Sequence, residues 1–148
     1  MQGSISYNSN VLNERYAISD VEISSSNLFS KGSGILTAIS SENIGWQIER
    51  VFFISSKFPE ERGNHAHKKC KQLFVCVSGK MNIMCKDGNT EKEFQLSGLG
   101  NYLHVPPSIW VDIRMESMTS IAVITDQIYD ESDYIRNWNE FLNFRGMK

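Results

Sequence analysis

A chain of 148 residues, 41% hydrophobic, has the size and composition of one globular domain, with residues 1–148 read as a single unit. Fifteen basic residues against seventeen acidic ones give a net charge of −2. That balance offers no electrostatic field for nucleic acid or an anionic membrane, although a few local Arg and Lys can still hold a small anion.

Residues 1–17 are polar and weakly patterned, and are read as a disordered tail or a strand that pairs elsewhere. They lack the basic-then-apolar pattern of a secretory leader. No apolar run approaches the roughly 20 residues needed to span a bilayer, so a cytoplasmic location is expected. Ser24–Gly34, rich in Ser and Gly, is expected to be a loop. Short β-like runs follow: Ile35–Ser40, Ile48–Ser55, Lys71–Ser78, Lys80–Lys86, Glu91–Leu96, Asn101–Val105, Trp110–Met115 and Ser120–Thr125. Turn signals separate them, among them Ser78-Gly79, Asp87-Gly88-Asn89 and Pro106-Pro107. Many short strands without intervening helical patterns predict an all-β sandwich or barrel. One short helix is expected near the C-terminus, capped by Asp130 or Ser132, with Tyr134, Trp138, Phe141 and Leu142 on one apolar face. Cys70, Cys76 and Cys85 are odd in number and not spaced as pairs, so no disulfide framework is read; Cys76 and Cys85 sit in apolar runs and are expected to be buried.

The most informative stretch is RGNHAHKKCKQLFVCVSG, Arg62 to Gly79. On a strand, His65 and His67 share one face. Cupin barrels carry HxH, then Glu after three or four residues and Gly after six more; here Gln72 and Gly79 hold those places. A second cupin motif is met in spacing by Gly100, Pro106, Ser108 and Val111. The spacings therefore resemble a cupin, an all-β jelly-roll barrel, while the metal-binding identities are replaced. Gln72 is a neutral amide and Val111 cannot ligate, so two imidazoles remain where a catalytic metal takes about three protein ligands. No metal is expected. An imidazole pair titrating near pH ~6.5 suits general acid–base work.

RVFFI, HAHK, the short DG hairpin, VPPSIW and YDESDYIRNWNEF together resemble the dTDP-sugar 3,4-ketoisomerases, metal-free cupins related to the WxcM-like proteins of bacterial surface-polysaccharide pathways. The resemblance runs from about Ile35 to Phe144. It implies the substrate dTDP-4-keto-6-deoxy-D-glucose, a dTDP-3-keto-6-deoxyhexose as product, and a homodimer exchanging N-terminal strands. No cofactor is required to move a ketone by one carbon through an enediol. The expected catalytic pair is His65 and His67, with Arg62, Gln72, His104 and Trp110 around the nucleotide at the barrel mouth. The chain departs from the family at Phe52 and Phe53, where tyrosines are common, and at Lys31–Gly34, which lacks the family's arginine. His104 and Val111 also differ. A nucleotide-sugar-binding cupin with altered or no isomerase activity is the alternative.

Overall fold

The computed structural model describes residues 15–147, so most of the polar tail, residues 1–14, lies outside the described residues. Two five-stranded antiparallel sheets face each other as a jelly roll. The first is ordered β1-β9-β6-β11-β4, with β1 Glu22–Ser25, β4 Arg50–Ser56, β6 Gln72–Ser78, β9 Asn101–Val105 and β11 Thr119–Thr125. The second is ordered β12-β5-β10-β7-β8, with β5 Glu60–His67, β7 Lys80–Lys86, β8 Glu91–Ser97, β10 Trp110–Met115 and β12 Tyr134–Ile135. A separate hairpin joins β2, Leu28–Lys31, to β3, Gly34–Thr37. Its first strand and the end of β1 occupy the segment the sequence assigns to a loop. Serines tolerate the extended backbone there, and only Gly32, at φ 62°, makes the turn.

Alternation explains the core. Phe74 and Cys76 of β6 meet Val111, Ile113 and Met115 of β10 between the sheets. Leu73 and Val75 point the other way and are covered by Ile44, Trp46 and Ile48, carried by the segment around the short helix α1, Ser41–Ile44. With both faces covered, β6 reads as an unbroken apolar run rather than an alternating one. Each such side chain contributes about 1.5–3 kcal/mol by burial. Cys70, Cys76 and Cys85 are all free and buried.

Gly79, at φ 80°, links β6 to β7 where a Cβ would stand 2.6 Å from Thr119 Cα. Gly79→Ala is therefore expected to cost about 1–3 kcal/mol in overpacking alone, read as a lowered urea midpoint.

The C-terminal helix is shorter than the sequence predicts. Asp130 caps only a 3₁₀ turn, Glu131–Asp133, and Tyr134–Ile135 is a strand. The helix α2 spans Trp138–Phe144 and is capped by Asn137, whose side chain accepts from the Glu140 N–H. The strand wins because Ile135 is buried beside Ala66 and Phe141, and its pairing with β5 satisfies the backbone.

Candidate active site

The histidines are placed by a bulge. His65 stands opposite Val111 and Gly63 opposite Asp112, which leaves Asn64 as an extra residue. Gly63 and Asn64 both take positive φ, 90° and 57°. A Cβ at Gly63 would lie 2.6 Å from the Val111 carbonyl oxygen, so only glycine fits. Arg62 and His65 are three residues apart, which on a regular strand means opposite faces. The bulge restores them to one face, with Arg62 opposite core residue Ile113.

His65, Arg62, Gln72, Phe52, Tyr134 and Arg136 border a cavity of about 360 Å³. His65 Nδ1 lies 3.0 Å from the Gly63 carbonyl, which can only accept, so Nδ1 carries the hydrogen and donates it. The lone pair of the neutral ring is then at Nε2. Burial, and next the neighbouring His67, push the His65 pKa down to about 4. His65 is thus a neutral base throughout the physiological range. Activity that depends on it is expected to hold from neutral pH downward and to fall only as pH approaches about 4, in a pH–rate profile. Stability carries the same sign: the unfolded ring takes its proton near 6.5 and the folded ring only near about 4, so folding weakens as pH drops through that window.

His67 lies behind His65, 5% exposed, with the two rings edge to face at 5.1 Å. Its Nδ1 donates to Asp133 Oδ2 at 2.9 Å, and its buried Nε2 has no hydrogen-bond partner. Burial alone would raise the Asp133 pKa. The hydrogen bond from His67, with backbone N–H donors of Lys69 and Cys70, instead holds it below the ordinary carboxylate range. Both imidazoles therefore share one tautomer, Nδ1–H outward to a fixed acceptor and Nε2 bare.

Asp133, Tyr134 and Arg136 are the site residues that sequence reasoning missed. The signal was Asp133-Tyr134-Ile135 itself, an acid followed by two β-formers, within a string read as helical. Pairing of Tyr134 with His67 lays the phenol ring 5.1 Å from His65 and 4.3 Å from His67. Arg136 stacks on Tyr134 at 4.3 Å and bonds Glu131 at 2.7 and 3.0 Å.

His67 does not line this cavity; it borders a small void behind it with Cys70 and Asp133. Two sequence-predicted binding residues are not in this cavity either. Leu103 and Val105 of β9 point inward, so His104 points out, into a separate cavity of about 420 Å³ beside Tyr102, Trp46 and Lys71. Trp110 faces α2 rather than the barrel interior. It packs in the cluster of Ala66, Ile135 and Phe141, and donates Nε1–H to Asp112 Oδ1 at 3.0 Å. Arg62 and Gln72 do border the cavity with His65. The cupin metal set does not fit this cavity, because Val111 is a fully buried core residue and Gln72 is an amide.

Comparison with known proteins points in one direction. The family model described as FdtA, WxcM-like, C-terminal matches residues 19–146. A TDP-4-oxo-6-deoxy-alpha-D-glucose-3,4-oxoisomerase from Aneurinibacillus thermoaerophilus is 37% identical over 114 residues, 75% of this chain and 82% of that protein. A 3,4-ketoisomerase from Helicobacter canadensis superposes with a TM-score of 0.82 at 27% identity, covering 86% of this chain and 98% of its own. QdtA, a sugar 3,4-ketoisomerase from Thermoanaerobacterium thermosaccharolyticum solved with TDP, gives 0.80 at 27% identity over 88% and 97% of the two chains. A histidine-to-asparagine mutant of QdtA was solved with TDP-4-keto-6-deoxyglucose.

Proposed function

This chain belongs to the FdtA, WxcM-like, C-terminal family, and on that premise we propose that it is a sugar-nucleotide 3,4-ketoisomerase converting dTDP-4-keto-6-deoxy-D-glucose to a dTDP-3-keto-6-deoxyhexose. The observation that carries the reading is the imidazole pair, each ring fixed through Nδ1–H and bare at Nε2. The His65 Nε2 removes the C3 proton, and the C4 carbonyl oxygen takes a proton as the enediol forms. The O3 hydroxyl then loses its proton and C4 gains one, so the exchange closes with no redox cofactor. His67, held by Asp133, is the second proton-handling group. Arg62 and Arg136, both bordering the cavity, bind the diphosphate, and Gln72 the sugar or its first phosphate. Tyr134 brings a phenol to a cavity where Phe52 offers none.

The test is incubation with dTDP-4-keto-6-deoxyglucose in D₂O, followed by NMR. Loss of the C3 proton signal and appearance of the 3-keto sugar are expected. Binding without exchange would favour the alternative, a nucleotide-sugar-binding cupin whose Phe52 marks lost chemistry.

A homodimer fits the surface. Among the described residues the β2–β3 hairpin pairs with no other strand, and a lone hairpin is marginal in water. It exposes Phe29 at 63% and Leu36 at 58%, and the edge strand β4 exposes Phe53 at 74%. An apolar hairpin and an open apolar edge on one chain are covered when two copies exchange them. Phe29→Asp is expected to halve the mass found by sedimentation; a monomeric parent would sink the assignment. No helix among the described residues is long and apolar enough to cross a membrane. The reading extends to a single cupin domain acting in the cytoplasm. There it would supply keto sugars for surface polysaccharide such as the O-antigen of lipopolysaccharide.

A further inference from the structure

A second cluster lies on the far side of the His67 ring from its bare nitrogen. Cys70 Sγ, a carboxylate oxygen of Asp133 and a ring nitrogen of His67 all lie within 4.8 Å of one another, and all three residues are buried. They border a void of about 10 Å³, room for a single water or ion. Its surroundings favour a cation. Asp126 and Asp133 both act electrostatically on Cys70. Arg50, which also borders the void, has its guanidinium stacked on Phe52 at 4.4 Å and on Tyr129 at 5.3 Å. Asp130 borders the void as well and is turned to capping, its side chain accepting from the Ser132 N–H. The cluster does not need a metal to fold, because Asp133 already accepts from His67, Lys69 and Cys70.

We propose that this cluster is an inhibitory zinc site, with Zn²⁺ held by His67 Nδ1, Cys70 Sγ and an Asp133 oxygen. Thiolate, imidazole and carboxylate are the donors zinc prefers, and water completes a tetrahedron. The charges close: the thiol proton leaves to solvent, and Zn²⁺, one thiolate and one carboxylate sum to zero. Neutrality suits a buried position. The imidazole stays neutral, but its proton moves from Nδ1 to Nε2. The nitrogen that served as acceptor becomes a donor, and His67 can no longer take a proton from substrate. A thiophilic cation therefore switches off the second proton-handling group without entering the substrate cavity. The inhibition rests on the isomerase reading; the zinc site does not.

Cobalt tests the site directly, because a thiolate ligand gives Co²⁺ a near-ultraviolet charge-transfer band. Titration of the full-length chain is expected to develop that band to one equivalent, and Zn²⁺ is expected to bleach it. Cys70→Ala keeps the backbone N–H to Asp133 and is expected to lose the band and bind zinc at least ~100-fold more weakly, since losing even an outer partner costs ~10–100-fold. Zinc is expected to depress parent turnover and to spare Cys70→Ala measured against a chelated control. Absence of the band, or the same band in Cys70→Ala, overturns the site as adventitious surface binding. A band with undiminished turnover overturns the inhibition. If Cys70→Ala folds poorly, the parent's band alone decides. A chelated parent without turnover would instead refute the isomerase reading, and the band would still settle the site.

Discussion

His65→Asn is expected to lower kcat by ~10²–10⁴-fold, the usual worth of a general acid–base group, while Kd for TDP changes little. Asparagine keeps much of the size and can still donate to the Gly63 carbonyl as the ring does. It has no lone pair able to accept a proton from carbon. The cations that border the same cavity, Arg62 and Arg136, are untouched, so the nucleotide end of the substrate keeps its contacts. Single-turnover kinetics beside calorimetry with TDP separates the two quantities. Near-parental kcat would remove His65 from the chemistry. His67→Asn is expected to lose most turnover as well, but with a stability cost that His65→Asn lacks, because His67 is buried against Asp133.

The second large effect is at Asp133, a positioning residue. Asp133→Ala would strip the acceptor from three donors at once: His67 Nδ1–H and the N–H groups of Lys69 and Cys70. Breaking such a buried set costs ~3–5 kcal/mol, visible as a lowered urea midpoint. Asp133→Asn is the sharper probe. It keeps the shape but has one acceptor oxygen where the carboxylate had two. If the amide nitrogen faces His67, the ring must release the Nδ1 hydrogen and carry it at Nε2 instead. A loss of ~10²–10⁴-fold in kcat, the worth of a general acid–base group, is expected from the wrong tautomer, with a small change in TDP affinity. Nitrogen-15 shifts of the His67 ring would show the tautomer exchanged. A purely structural role would lower the midpoint and leave those shifts in place.

Much of this was legible in the sequence, for physical reasons. Strands from β6 to β11 announce themselves because apolar runs or alternation are bounded by residues that only turns favour, such as Asp87-Gly88 and Ser97-Gly98. The HxH spacing puts both imidazoles on one face, and Arg62 and Gln72 border the cavity with His65. His104 was misplaced because parity along β9 is fixed only once Leu103 and Val105 are known to be core. Trp110 was ambiguous because an aromatic on a half-buried strand suits either face, and α2 decided for the outer one. Asp133 escaped because its partner lies 66 residues away, and no local pattern reports a pairing of that range. The Ser24–Gly34 segment failed for a different reason: composition says where chain can bend, not where it must.

The bulge at Gly63-Asn64 lets β5 carry one residue more than the strand it pairs with and still keep step with it. Arg62 faces Ile113 and His65 faces Val111, so the span from cation to base is held by two residues of β10, ~6.6 Å. Deleting Asn64 would straighten β5 and leave both side chains facing inward at nearly that span. What would go is the left-handed kink of Gly63 and Asn64, and with it the turned carbonyl that steadies His65 Nδ1. A single codon there governs the aim of the base, while its reach belongs to the neighbouring strand.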